Sequence, residues 1–226
     1  MRVTKPIYAD AMNILLGRQV GYTRSEYLSD LAVHILGMVV VLTCVPVLIV
    51  LAVMSDGGTA TIVGMGLYGL SFAAMILCSA VYNIFPHPDW EWLFKRLDHS
   101  AIYLKIAGTF TGFAMLAGQG FLVVGALWAA AAAGISLKML CPFRFRRTSI
   151  ALYLGMGWCA GLVAFGIFAE LPPMTGVLIV VGGLLYTVGI GFYLANRVPF
   201  HMTIWHGFVL IASVTMYAAA VVAVVA

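Results

Sequence analysis

The chain has 226 residues, of which 63% are hydrophobic and 9% are charged, and its formal net charge is +4. An average soluble domain is roughly 45–50% apolar and about 25% charged. This composition therefore excludes a soluble globular protein, because too few polar side chains are present to cover its surface. It also excludes a disordered chain, which would contain few large apolar residues, and it indicates an integral membrane protein.

Seven apolar runs are long enough to cross a membrane as helices. A helical span needs about 20 mostly apolar residues, and these runs lack the short alternating segments of a membrane β-barrel. The candidate spans are residues 31–54, 61–83, 99–117, 121–140, 149–169, 176–196 and 203–225. We predict an all-α, seven-transmembrane helix bundle that forms one domain over residues 1–226, with 1–30 as a cytoplasmic N-terminal arm.

The distribution of basic residues predicts the orientation of this bundle. All but one of the 12 lysines and arginines lie in the N-terminal arm, in the even-numbered loops or, for Lys138, at the end of the span that leads into one. The charged residues of the odd-numbered loops are the acidic Asp56 and Glu170. Because cytoplasmic loops carry the excess of basic residues, we expect a cytoplasmic N-terminus and an outside C-terminus. Membrane topology thus explains the basic charge, and no nucleic-acid partner is expected. The exception is Lys105, inside the third span, whose side chain can snorkel to the headgroups or serve a function.

Polar residues at three predicted span ends form a candidate site. Ser79 and Asn83 end the second span, Asp98 lies just before the third, and Met202 and His206 lie at the start of the seventh. All three ends are predicted at the cytoplasmic face. Residues four apart share a helix face, and an ionisable residue inside a span costs roughly 2.5–3.5 kcal/mol. We therefore predict one polar cluster of these five residues.

Two of these residues have an alternative interpretation. Asp98 can also act as the N-terminal cap of the third helix, and His206 can be a hydrogen-bonded interfacial histidine. A possible second cluster is formed by Glu26, Asp30 and His34, which follow one another at intervals of four along one helical face near the start of the first span.

Several stretches carry a resemblance to a known family. The sequence LFKRLDHSAIY at 93–103, followed by IAGTFT at 106–111, resembles the hemolysin III family, the bacterial branch of the group that contains the adiponectin and progestin receptors. Other stretches that agree are Glu26…Asp30…His34…Gly37, LYLGMGW at 152–158, GGLLYTVG at 182–189 and IWHGFVL at 204–210. The resemblance covers nearly the whole chain in order.

The resemblance implies a seven-helix fold with a cytoplasmic N-terminus and a zinc site near the cytoplasmic face. In the family pattern, helix two ends Ser-x-x-x-His, an Asp opens helix three, and helix seven opens His-x-x-x-His. The three histidines bind the ion, while the Ser and the Asp hold or activate a water molecule. The receptor branch resembles lipid-amide hydrolases that cleave ceramides, and membrane damage gave the bacterial branch its name.

The chain departs from this pattern at two of the three metal ligands. Ser79 and Asp98 match the positions implied to be catalytic, and His206 matches one zinc ligand, but Asn83 and Met202 occupy the other two ligand positions. Zinc sites are built from imidazole, thiolate and carboxylate groups, and a thioether is a softer ligand that suits copper(I) better. We therefore expect no bound cofactor, with zinc as the alternative.

Three functions follow, in order of preference. The first is a multi-pass protein of the inner or plasma membrane that binds a lipid or amphiphile, or senses membrane state, through the polar cluster and its degenerate metal site. Membrane lipids are then its partners, and the sequence identifies no protein partner. The second is a metal-dependent, ceramidase-like lipid-amide hydrolase with a rebuilt site, in which His87 or His201 replaces a lost ligand. The third is a pore-forming or cytolytic protein.

Overall fold

The computed structural model describes residues 23–85, 89–140, 146–163, 166 and 169–226, and within these ranges the chain is helical and contains no strand. The described part holds seven long helices, in chain order α1 (Arg24–Met54), α2 (Gly58–Ile84), α3 (Glu91–Ala117), α4 (Phe121–Leu140), α5 (Arg146–Val163), α6 (Pro173–Leu194) and α7 (His201–Val225). In lipid, each backbone polar group must be paired within the protein, and an apolar helix pairs them within its own segment.

Six of these helices are long and apolar enough to cross a membrane, namely all except α5. The described part of α5 has 18 residues, and the predicted fifth span continues into residues 164–168, of which only residue 166 is described. The all-helical membrane architecture is confirmed. The count of seven spans and the orientation of the termini stay predictions.

Two helices begin about two turns before their apolar runs. Helix α1 begins at Arg24 rather than near residue 31, because Thr23 and Glu26 form a reciprocal capping box. The backbone N–H of Glu26 donates to Thr23 Oγ1 (3.3 Å), and the backbone N–H of Thr23 donates to Glu26 Oε2 (2.8 Å). Helix α3 begins at Glu91, so Asp98 lies about two turns inside it. The interpretation of Asp98 as the cap of this helix is wrong.

The helices pack in a closed arrangement in which α1 lies between α2 and α7. Helix α3 packs between α2 and α4, and α6 packs against α7. A Cβ atom added at Gly64 of α2 would lie 2.8 Å from Met115 Cβ of α3, and one added at Gly112 of α3 would lie 2.9 Å from Met65 Cε of α2. The small residues thus let these two helices approach closely, as is common between membrane helices. This packing positions the ends of α2, α3 and α7 around the start of α1.

Candidate functional site

The centre of the site is a buried carboxylate between two histidines. Asp30 and His34 lie one turn apart on α1, and His206 lies on α7; their relative exposures are 4%, 5% and 8%. His206 donates through Nδ1 to Oδ1 of Asp30 (2.6 Å). His34 donates through Nδ1 to the backbone carbonyl of Asp30 (2.8 Å), and the two imidazole rings meet edge to face with their centroids 4.5 Å apart. Because burying a charged group costs several kcal/mol unless it is paired, this carboxylate depends on its two histidine neighbours.

Helix α2 extends the cluster by one hydroxyl and one amide. Ser79 Oγ lies 3.2 Å from Nε2 of His34, the ring nitrogen that does not face the backbone. Asn83 donates through Nδ2 to the backbone carbonyl of Ser79 (2.9 Å) and to Ser79 Oγ (3.3 Å). The hydroxyl therefore links α1 to α2 through His34, while the Asn83 amide nitrogen stays within its own helix.

The predicted cluster lines a single cavity of about 240 Å³. Its walls include all five residues predicted from the span ends together with His34, namely His34, Ser79, Asn83, Asp98, Met202 and His206. The structure therefore brings together the ends of α2, α3 and α7, as the sequence predicted, and adds the start of α1. Their catalytic and metal-binding roles stay predictions.

The possible second cluster separates into two parts in the structure. Asp30 and His34 join His206, whereas Glu26 lies apart from them. Its Oε1 accepts a hydrogen bond from the backbone N–H of Phe200 (3.0 Å), and Phe200 has a positive φ of 58°, a conformation uncommon outside glycine. Glu26 thus caps α1 and also holds the turn that leads into α7.

Of the two proposed replacement ligands, the structure places only His201, and it lies outside the cluster. His201 is the first residue of α7 and does not line the 240 Å³ cavity. His87 lies outside the described residues.

A second, larger cavity of about 750 Å³ adjoins the first. Its lining is mainly apolar and comes largely from α3, α5 and α6. The two cavities share a wall formed by Met75, Ile102, Tyr153, Tyr186, Ile190 and Trp205. The bundle therefore contains two adjoining chambers: a smaller one whose wall carries the polar cluster, called the polar chamber, and a larger one called the apolar chamber.

Lys105 lines the apolar chamber. Its side chain is buried, with a relative exposure of 3%, and its Nζ makes no hydrogen bond to any residue that the structure describes. The Nζ lies 3.8 Å from the ring centroid of Tyr68 and 4.6 Å from that of Phe72. The snorkelling interpretation is therefore wrong, because the amino group is held against aromatic rings inside the bundle and does not reach its surface.

The residues at the family's metal positions do not fit a zinc ion. The amide nitrogen of Asn83 is engaged with Ser79, and Met202 offers a thioether. The residues that do provide a metal-binding set are Asp30, His34 and His206, which each offer one ligand atom, all within 4.8 Å of one another. This ligand set was partly visible in the sequence. Asp30 and His34 lie four residues apart near the start of the first span, and that start and His206 were both predicted at the cytoplasmic face.

Comparisons with known proteins give a consistent result. The sequence model of the family described as "Haemolysin-III related" matches residues 25–217. The chain is 34% identical over 201 residues to a hemolysin-3 homolog of Bacillus subtilis (strain 168), covering 87% of this chain and 93% of that protein. It is 35% identical over 196 residues to hemolysin-3 of Bacillus cereus, covering 85% and 89%.

A more distant relative is the monocyte to macrophage differentiation factor of Homo sapiens. It is 27% identical over 164 residues, covering 67% of this chain and 66% of that protein. No solved structure shows a significant match to the chain.

Proposed function

The chain belongs to the haemolysin-III-related family, and from this premise we propose that it binds an amphiphile inside its helix bundle. The family assignment confirms the resemblance predicted from the sequence, and with it a multi-pass protein of the inner or plasma membrane. Such a protein is surrounded by amphiphiles, since every exposed helix face contacts lipid. The proposed ligand places its polar head in the polar chamber and its hydrocarbon chain in the apolar chamber.

The observation that carries this proposal is the pair of adjoining cavities. Ligand sites are typically concave, about 300–1,000 Å³ in volume, and mainly apolar with a few convergent polar groups. The apolar chamber, at about 750 Å³, lies within this range. The polar chamber beside it supplies the convergent groups, which include the Ser79 hydroxyl, the Asn83 amide and the Asp98 carboxylate.

The same arrangement suggests how binding of a membrane amphiphile changes the conformation of the protein. The polar chamber is lined by residues from all seven described helices, with Lys138 as the contribution of α4, so a head group bound there lies among all of them at one end. A ligand shifts a conformational equilibrium only by its differential affinity for the two states. Occupancy of this chamber would therefore favour the conformation in which these helix ends are close together.

Cavity filling tests the proposal. Gly157 of α5 lines the apolar chamber, and a Cβ atom added there meets no atom within 4 Å, so Gly157→Leu should occupy ligand space without a backbone clash. The matched control is Gly155→Leu on the same helix, which also has open space but does not line that chamber. Binding of a fluorescent single-chain fatty amphiphile to purified protein in nanodiscs should weaken at least tenfold in Gly157→Leu only. Equal binding in both variants would contradict the proposal.

A metal-dependent lipid-amide hydrolase is the second candidate. Three neighbouring groups favour it: a set of two imidazoles and one carboxylate, a hydroxyl next to that set, and the Asp98 carboxylate in the same chamber. The test is release of fatty acid from a ceramide-like amide in detergent micelles. Turnover by the wild-type protein that Asp98→Asn abolishes would support an enzyme, whereas amphiphile binding without turnover would favour the first proposal.

The pore-forming alternative receives little support from the described residues. A water-filled path needs polar side chains along its length, but the larger chamber has a mainly apolar lining. Conductance across liposomes that contain the purified protein is the direct test of this alternative.

A further inference from the structure

We propose that Asp30, His34 and His206 bind a divalent first-row transition metal ion between α1 and α7. In this chain the ligand set would then come from α1 and α7, instead of α2 and α7 as in the family pattern. The inference depends on the geometry of these three residues and not on amphiphile binding, so each proposal can fail without the other.

The chemistry of the three side chains suits such an ion. Two imidazoles and one carboxylate make up the ligand set of a well-known class of catalytic zinc sites, in which a water molecule completes the coordination. Affinity for a site with nitrogen and oxygen ligands generally rises from manganese to copper and falls again at zinc. Zinc has no redox chemistry and is bound by such ligand sets, so it is a suitable probe, and the identity of the ion found in the native protein is a separate result.

The geometry of the cluster is already close to that of a metal site. One ligand atom from each residue lies within 4.8 Å of the others, whereas two ligands at about 2.0–2.1 Å from a tetrahedral ion lie roughly 3.3 Å apart. Each pair of ligand atoms therefore has to close by at most about 1.5 Å. The backbone spacing favours this closure, because Asp30 and His34 are one turn apart on α1 and share its face towards α7.

The hydrogen bonds orient His34 for this role. Its Nδ1 donates to the backbone carbonyl of Asp30 (2.8 Å), which fixes the ring and leaves Nε2 unprotonated in the neutral imidazole. Metal-binding histidines commonly donate their other ring N–H to such a partner, which sets the tautomer. Nε2 lies 3.2 Å from the Ser79 hydroxyl, so an ion bound through Nε2 would lie beside that hydroxyl.

The burial of the cluster favours a bound cation. The Asp30 carboxylate lies at 4% relative exposure with a histidine ring on each side, and His34 Nδ1 lies 3.8 Å from its Oδ2. A buried charge requires close compensation, and a divalent ion would supply it to this carboxylate directly. The alternative is a metal-free hydrogen-bonded cluster, and the experiment separates the two.

The experiment measures metal content and binding in the full-length protein. The chain is purified in detergent with a tag free of histidine, stripped with a chelator, reconstituted with zinc and analysed by elemental mass spectrometry. We expect about one zinc ion per chain that survives dialysis, and at least a tenfold loss of affinity in both Asp30→Asn and His34→Gln. His201→Gln removes a histidine outside the cluster and should bind zinc as the wild type does.

Two additional measurements keep the test decisive. Asn83→Ala combined with Met202→Leu removes both side chains at the family's metal positions and should leave zinc affinity unchanged. Loss of zinc affinity in this double variant would place the ion at the family's positions and overturn the inference. If the ligand variants fail to fold, X-ray absorption of the zinc-loaded wild type should show two imidazole ligands and oxygen neighbours. A wild-type protein that retains no zinc after reconstitution would also overturn the inference, whatever its binding of amphiphile.

Discussion

Replacing the buried lysine of the apolar chamber should make the protein more stable. A charged side chain inside a membrane helix costs roughly 2.5–3.5 kcal/mol on insertion scales. Lys105 recovers part of this through its contacts with the rings of Tyr68 and Phe72, each worth about 0.5–1 kcal/mol. Lys105→Met keeps an unbranched side chain of similar length and removes the charge, so we expect a net stabilisation of about 1–2 kcal/mol.

This stabilisation is measured by thermal unfolding of delipidated protein in detergent. For chains of this size, about 1–2 kcal/mol corresponds to a rise in Tm of roughly 2–8 °C. The matched control is Leu104→Met on the same helix, which changes no charge and should shift Tm little. A fall in Tm for Lys105→Met would refute the reasoning, because it would mean that the amino group is stabilised by a partner beyond the two rings.

The other predictions concern helix packing and capping. Gly64→Ala should lower the free energy of unfolding by about 1–3 kcal/mol, because the added Cβ would lie 2.8 Å from Met115 Cβ. Gly66→Ala on the same helix is the control and should be neutral, because its added Cβ has open space among the described residues. Similar losses of stability in both variants would contradict the close α2–α3 contact. Glu26→Ala should cost about 1–2 kcal/mol and speed hydrogen exchange at the start of α1, because it removes the capping box and the bond to Phe200. Unchanged exchange there would contradict this role for Glu26.

The helical membrane fold could be predicted from the sequence, but two helix starts could not be placed from hydropathy alone. The apolar run of the first span begins near residue 31, whereas the capping box at Thr23 and Glu26 starts α1 about two turns earlier. A capping box is visible in a sequence as Thr-x-x-Glu, but here it lies within a polar segment. Similarly, the first two turns of α3 carry charged residues, so that the apolar pattern suggested a start at Asp98.

The candidate site was predicted in part, for a related reason. The direction of each helix predicted that Asn83, Asp98 and His206 lie at one end of the bundle, and the structure places them in one cavity. The direction of each helix did not predict which helices are lateral neighbours. The contact between Asp30 of α1 and His206 of α7 could therefore not be predicted from the sequence. The direction of the Lys105 side chain also depends on the neighbouring α2, whose aromatic rings hold its amino group.

The contact between α1 and α7 has a consequence for how the protein matures in the membrane. These are the first and last of the described helices in the chain, and they are joined at one end by Glu26 to Phe200 (3.0 Å) and by Ser29 to Thr203 (3.0 Å). During synthesis, Asp30 enters the bilayer long before His206 has been made. Its carboxylate acquires that partner only when α7 packs against α1, so the complete site forms only after the whole chain between these two helices has been synthesised.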